Sequence, residues 1–358
     1  MGDNPVRFGI IGCAKAAGKI GRAINLAPNS VLHAVGDPSL ETAKQFVAAN
    51  GAPDTVKIYG SYDQVVADPC VDVVYVASPP SVRGHWALLA AKNKKHLLVE
   101  KPTALNLEEL DEILGECESN GVQFMDGTIW FYHPRTAKIK NMLLDSHCLG
   151  DIDHIYSTLT TSIPPAFLDK LNADTFGSLG TVGELGWHCV AAVLWIKNHE
   201  LPTSATALPD VTKNSHGLIM SCTASLHFDH AHKTSATIHF SFLSHLSTEL
   251  TVIGSKGSLY VKDYIIPFVE DSACFEFTIG AKFVDLHVGW NVKPEKVVVA
   301  CGLPQEASMV QKLANLVNGI RGLGLPPDKR CGEICRKTQL VLDAIKKSVD
   351  IGCKTVYL

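Results

Sequence analysis

The sequence predicts an α/β half built around a parallel sheet, followed by an α+β half with an open, mostly antiparallel sheet. Three observations carry that reading. Over residues 6–126 short apolar runs alternate with helical stretches, the order that requires crossover connections and parallel strands. Beyond residue 150 the pattern changes to longer runs of period two joined by short polar turns. Two amphipathic stretches, "ASMVQKLANLVNGI" and "CRKTQLVLDAIKKSV", close the chain as helices. The expected domains are residues 1–127 and 128–358, with the closing helices free to pack back on the first.

In chain order, "RFGIIG" is the first strand, and the helical face Ile20, Ala23, Ile24 and Ala27 follows it and stops at Pro28. "VLHAVGD" is a second strand, and Ser39 opens the next helix. "VDVVYVAS" is apolar almost throughout, as a strand buried on both sheet faces must be. "HLLVE" is another strand, and Asn106 with Glu109 reads as a cap and reach-back pair opening a helix. "VQFMD" completes this half. A helix near 135–145 leads into the alternating strand "DIDHIYSTLTTS". "LIMSCTASLHF", "KTSATIHFSFLS", "STELTVIGS" and "GSLYVKDYIIPF" supply further strands.

Composition narrows the function. The 358 residues are 46% hydrophobic and carry a formal net charge of -4, so no concentrated basic surface for nucleic acid is expected. The 11 cysteines are odd in number and include no C-x-x-C pair, which points to free thiols in a reducing compartment. The start "MGDNPV" lacks a signal-peptide h-region and has Val6 where myristoylation wants Ser or Thr. No apolar run approaches a membrane span, so a soluble cytoplasmic protein is expected. The histidines of "LHFDHAHKT" (His227, His230, His232) lie on a polar hairpin turn without a neighbouring cysteine, and no metal site is expected.

The first turn, "GIIGCAKAAGK", has the spacing of a dinucleotide fingerprint with Gly12, Ala14 and Ala17 at its three special positions. Alanine adds one methyl group, and the helix N-terminus that attracts phosphate remains. Gly12, Cys13, Ala14, Ala16 and Ala17 are therefore candidates to hold a pyrophosphate. Asp37 ends the second strand 20 residues beyond Ala17, where an acid accepts hydrogen bonds from the ribose hydroxyls of NAD and repels a 2′-phosphate. Its alternative reading is a turn residue before Pro38. Ser78 and Pro79 follow the strand "VDVVYVAS" at its carboxyl end, the ligand side of a parallel sheet.

"HLLVEKPTA" then places Glu100, Lys101 and Pro102 directly after a strand. Together with "GIIGCAKAA", "VYVASPPS" and "GTVGELGWH", this resembles the glucose-fructose oxidoreductase/inositol dehydrogenase (Gfo/Idh/MocA) family over essentially the whole chain. The segment "MDGTIWFYHPRT" looks most like plant cytosolic members. The resemblance implies an NAD(P)-dependent oxidoreductase with Glu100 and Lys101 at the cofactor and Lys101 beside the reacting oxygen. It also implies a carboxylate and a histidine from the later motif, here Glu184 and His188 around Gly186. Arg83 stands where relatives often have histidine, and Glu184 where aspartate is usual. Arg83, Trp130 and Tyr132 are expected at the substrate pocket, with core packing the alternative for the two aromatics. Asp37-Pro38 in place of Ser-Arg leans the cofactor toward NAD(H). A homodimer or larger homo-oligomer through the second-domain sheet is expected on the same grounds.

The residue types suit such chemistry. A lysine ammonium can hydrogen-bond a developing alkoxide, and histidine is the usual general acid/base near neutrality. Glu184 and His188 are four apart, so on an α-helix they share a face and the carboxylate can orient the imidazole. Two alternatives stay open there: Thr181-Val-Gly-Glu184 as a capping box, and His188 as a core histidine. The expected substrate is a small polyol, sugar-like or cyclic alcohol, carbonyl or imine. The other readings are an epimerase or lyase working by transient oxidation, and a non-redox protein that binds a dinucleotide or metabolite.

Overall fold

The computed structural model describes residues 5–168, 170–229, 232–285 and 288–358, so His230 of the hairpin histidines lies outside them. The chain divides into two compact units, residues 1–132 with 174–177 and 303–336, and residues 133–173 with 178–302 and 337–358.

The first unit alternates β1 (Val6–Ile11), α1 (Lys15–Leu26), β2 (Ser30–Gly36), α2 (Leu40–Ala49), β3 (Lys57–Tyr59), α3 (Tyr62–Ala67), β4 (Val73–Val76), α4 (Pro80–Lys92), β5 (His96–Val99), α5 (Leu107–Ser119) and β6 (Phe124–Asp126). All six strands are parallel, in the order β3-β2-β1-β4-β5-β6. This is the doubly wound order of a Rossmann sheet, whose switch point lies between β1 and β4. Every residue of β4 is buried, which explains its unbroken apolar run. The helix starts follow local chemistry. Ser39 accepts a hydrogen bond from the Thr42 N–H, and Ser61 from that of Gln64. Asn106 accepts from the Glu109 N–H, while Glu109 reaches back to accept from the Leu105 N–H.

The helix Gln305–Leu323 belongs to this unit through Ala307, Val310, Leu313, Ala314 and Val317, which join Ile20, Ala23 and Ile24 of α1 in one core cluster. A short 3₁₀ turn, Ile129–Tyr132, leaves Trp130 buried.

The second unit begins with α6 (Pro134–Leu144) and the long strand β7 (Ile152–Ser162). Its large mixed sheet has β7 at the centre, antiparallel to Leu250–Gly254 on one side and parallel to Thr234–Ser241 on the other. Strand Thr234–Ser241 in turn pairs antiparallel with Ile219–Phe228. One face is apolar: Ile155 and Leu159 of β7 and Ala236, Ile238 and Phe240 of its parallel neighbour are buried. The other face carries Ser235, Thr237 and His239, which are only partly covered. Helix Trp187–Ile196 is buried at all ten positions, as a helix that is apolar all round must be. All 11 cysteines are free thiols. Among the described residues no helix is long and apolar enough to cross a membrane.

Candidate active site

The loops that follow β1, β2, β4 and β5 lie in register along the carboxyl edge of the parallel sheet. Main-chain bonds stitch them together: Gly12 N–H donates to Gly36 O, Ala77 N–H to Ile11 O, and Glu100 N–H to Val76 O, at 2.9–3.1 Å. Gly12, Cys13, Asp37, Ser78, Glu100 and Lys101 are thereby gathered on one edge.

Gly12 has φ +93°, and a Cβ there would lie 2.9 Å from the Ala77 carbonyl and the Ser78 nitrogen. Conformation and space both demand glycine at this position. Ala14 is different. It is the N-cap of α1, exposed, with φ −67°, so its methyl group meets no backbone penalty. No side chain caps α1, whose first N–H groups therefore face outward with the positive end of the helix dipole. Ala16 is exposed on the first turn, and Ala17 is buried in the core cluster, serving the close helix–strand packing of the third fingerprint position.

Asp37 braces the turn and stands at the end of β2. Its Oδ2 accepts the Cys13 N–H at 3.2 Å and its Oδ1 the Ser39 N–H at 3.0 Å. The turn reading and the ribose-binding reading are thus compatible, since a carboxylate has further lone pairs. Burial first, and the Asp37 charge second, push the Cys13 thiol up to about 12, so this cysteine remains a neutral thiol. Ser78 is fully buried, and its Oγ has no hydrogen-bond partner among the described residues. A cramped glycine, an uncapped helix start, a carboxylate after β2 and an orphaned hydroxyl after β4 together fit a dinucleotide laid across the switch point.

The Glu100-Lys101-Pro102 segment is held on both sides. Tyr75 donates its hydroxyl hydrogen to Glu100 Oε1 at 2.7 Å, and Glu100 Oε2 accepts the Lys101 N–H at 3.2 Å. Arg83, 5% exposed, donates to the main-chain oxygens of Ser78 at 3.2 Å and Pro102 at 2.8 Å. It therefore ties the loop after β4 to the loop after β5. Trp130 is 1% exposed and Tyr132 places its hydroxyl 3.8 Å from Cys331 Sγ, so both aromatics pack within the unit. Pro79 is exposed as the N-cap of α4.

Sequence reasoning missed one group. Asp126, at the carboxyl end of β6, is 5% exposed and accepts from both the N–H and the hydroxyl of Thr128. Burial, reinforced by the Glu100 charge, outweighs those hydrogen bonds and raises its carboxyl to about 6. Its position as the last residue of a strand is the signal that could have found it. A raised carboxyl contributes stability that is intact below the unfolded value near 3.8 and is lost as pH rises through about 6. Asp126→Asn should therefore gain on the wild type by about 3 kcal/mol between pH 4 and pH 8. Urea unfolding at the two pH values checks this, and a pH-independent difference would remove the assignment.

In the second unit, Glu184 and His188 lie where a π-helical turn, Val182–Gly186, runs into the buried helix Trp187–Ile196. This corrects the expectation of a single α-helical face, because the five-residue hydrogen bonding of a π turn sets the two side chains at a different relative angle. The capping-box reading also fails. Thr181 is itself helical, with φ −64° and ψ −23°, and its hydroxyl donates to the Ile219 carbonyl at 2.7 Å. Gly186 permits the turn's close approach, since a Cβ there would stand 3.1 Å from the Phe240 ring. His188 is 6% exposed and Glu184 partly exposed. Isolated π turns inside helices occur often at functional sites.

A profile of an oxidoreductase family with an NAD-binding Rossmann fold matches residues 6–128, and one of the GFO/IDH/MocA C-terminal domain matches residues 137–260. The chain is 27% identical over 235 residues to trans-1,2-dihydrobenzene-1,2-diol dehydrogenase of Xenopus laevis, covering 65% of this chain and 67% of that protein. The 3-ketoreductase KijD10 of Actinomadura kijaniata, solved with NADP and TDP-benzene, superposes with a TM-score of 0.80 at 21% identity, over 96% of this chain and 98% of that one. An aldose-aldose oxidoreductase of Caulobacter crescentus, solved with glycerol, gives 0.80 at 18% identity, over 99% and 100%. At those identities the two structures speak for the fold.

Proposed function

This chain belongs to the Gfo/Idh/MocA family of oxidoreductases, and from that premise we propose that it transfers hydride between NAD(P)(H) and the hydroxyl, carbonyl or imine carbon of a small polyol, sugar-like or cyclic metabolite. It is an oxidoreductase, and a nicotinamide dinucleotide is its cofactor. The observation that carries the reading is the gathering of Gly12, Asp37, Ser78, Glu100 and Lys101 along one carboxyl sheet edge at the switch point. When bound, the nicotinamide ring accepts or releases the hydride.

In this reading the chain's residues bind, orient and move one proton. Gly12, Cys13, Ala14, Ala16 and Ala17 supply the turn and helix start that hold the pyrophosphate. Asp37 takes the adenosine ribose, and Ser78 and Pro79 flank the nicotinamide ribose. Lys101 holds the substrate oxygen as negative charge grows on it, His188 takes the hydroxyl proton in the oxidative direction, and Glu184 orients His188. Glu100, Tyr75 and Arg83 keep Lys101 in place; the hydrogen bonds already described support that role.

Asp37 leads us to NAD(H) over NADP(H), because a carboxylate beside a 2′-phosphate is repelled. The test is a titration with NADH and NADPH, followed by nicotinamide fluorescence and thermal stabilisation. Saturable binding with NADH the tighter ligand is expected, and Asp37→Ser should narrow the preference by about tenfold, a value of about 1.4 kcal/mol. Failure of both forms to bind at millimolar concentration would falsify the cofactor assignment. We also read the protein as a cytoplasmic, plant-type member and a homodimer or larger homo-oligomer. Tyr156 (46% exposed) and Ile253 (38%) on the second-unit sheet support an interface there. A monomeric mass in sedimentation equilibrium would remove that interface.

A further inference from the structure

We propose that His33, Asp68 and Cys70 form a second site, which takes a divalent cation of the zinc class. His33 lies on β2, and Asp68 and Cys70 lie on the turn that leads from α3 into β4. The site is thus at the amino end of β4, whereas the dinucleotide loops follow the carboxyl ends of the strands.

The three residues each offer one donor atom, and those atoms lie within 4.8 Å of one another. The His33 Nε2 to Asp68 Oδ2 separation is 3.3 Å. A tetrahedral zinc ion with nitrogen and oxygen ligands at about 2.0–2.1 Å separates the two donors by about 3.3–3.4 Å, so this pair already has the spacing of a tetrahedral edge. His33 Nε2 is buried without a hydrogen-bond partner, although the carboxylate oxygen is so near. The two atoms stand at ion-pair distance with no hydrogen bond between them, a spacing that a shared cation would also hold.

The chemistry of the donors selects the ion. One imidazole, one carboxylate and one thiol suit zinc or cobalt and do not suit magnesium or calcium, which take oxygen ligands. Asp68 is also preorganised. Its Oδ1 accepts the Cys70 N–H at 2.8 Å, which fixes the turn that brings the thiol to the carboxylate.

A cation already sits here. Lys57 Nζ is 3.0 Å from Asp68 Oδ2, the same oxygen that faces His33, and its side chain is 45% exposed. The Tyr59 hydroxyl donates to that oxygen as well, at 3.0 Å. The lysine head can swing into water on a flexible stem, so a divalent ion exchanges with it for the carboxylate. Lys95 does not compete, because its ammonium is bound to the main-chain oxygens of Asp68 at 2.6 Å and Val71 at 2.9 Å. On binding, the Cys70 thiol releases its proton to solvent, His33 binds as the neutral imidazole, and water completes the coordination shell.

The test is a cobalt(II) titration of the full chain with a non-thiol reductant, followed by the thiolate-to-cobalt absorption band, with zinc added to displace it. One cobalt per chain with a thiolate band is expected. Cys70→Ser should abolish the band, His33→Gln should weaken binding by about tenfold or more, and Lys57→Met should tighten it by a similar factor. Cys148→Ser, at another partly exposed cysteine beside a carboxylate, serves as the control and should keep the band. Circular dichroism of each variant separates lost binding from lost folding. No band in the wild type, a band that survives Cys70→Ser, or affinity unmoved by Lys57→Met each overturns the proposal. None of these readouts depends on hydride transfer or on the dinucleotide site.

Discussion

Lys101→Ala is expected to lower turnover about a thousandfold, roughly 4 kcal/mol of transition-state stabilisation, while NADH affinity moves less than about threefold. The physical reason is the timing of charge. A neutral alcohol or carbonyl in the ground state gains little from an ammonium neighbour, and an oxygen carrying developing negative charge gains much more. The loop itself should survive the change. Glu100 accepts the Lys101 main-chain N–H, and Arg83 holds the Pro102 carbonyl, so the bonds that shape the segment do not involve the Lys101 side-chain carbons that alanine removes. Lys101→Arg should rescue poorly, because a planar fork cannot take the place of a compact ammonium. Turnover on the best member of a polyol and sugar panel, set beside the fluorescence Kd for NADH, checks both. Unchanged turnover would take Lys101 out of the chemistry. An equal loss of turnover and NADH affinity would mean that the residue only shapes the cofactor loop.

Gly12→Ala should weaken NADH binding by at least about a hundredfold, whereas Ala14→Gly should change it by less than about threefold. Both positions belong to the same fingerprint, but they differ physically. At Gly12 a Cβ would stand 2.9 Å from main-chain atoms of Ala77 and Ser78, in a backbone with φ +93° that L side chains rarely adopt. The obstacle is main chain, which cannot rotate away as a side chain can. Relief has to come from parting the loops after β1 and β4, the two that border the switch point. Ala14 is exposed with φ −67°, a conformation open to any residue, so glycine there adds only freedom to the unbound loop. The same fluorescence titration reads both variants. Wild-type affinity in Gly12→Ala would show that the turn does not contact the cofactor.

Much of the first unit could be read along the chain. The alternation of strands and helices, with the handedness of crossovers, leads to a parallel sheet, and Asp37 at the end of β2 lies where the spacing from Ala17 puts it. Asn106 and Glu109 open α5 as their spacing suggests. These features are written locally: a cap acts over three or four residues, and a strand's burial shows in its own apolar run.

Other features depend on partners far away in sequence. Thr181 and Glu184 have the spacing of a capping box, yet the Thr181 hydroxyl goes to Ile219, 38 residues on, and the segment folds as a π turn. Arg83 reads from the resemblance as a substrate-pocket residue, and only the packed structure shows it buried against two carbonyls, one of them 19 residues away. Asp126 ends an ordinary strand, and only its surroundings raise its carboxyl to about 6. His33 meets Asp68 and Cys70 through the adjacency of β2 with the turn into β4, which no spacing announces. The sequence by itself determined five of the six strands of the first sheet, their parallel direction and the residues at its carboxyl edge, while the short strand Lys57–Tyr59 carries too brief an apolar run to be read along the chain. The tertiary structure alone decided which polar side chains are buried and which atoms satisfy them, because desolvation and long-range hydrogen bonding exist only once distant segments are packed together.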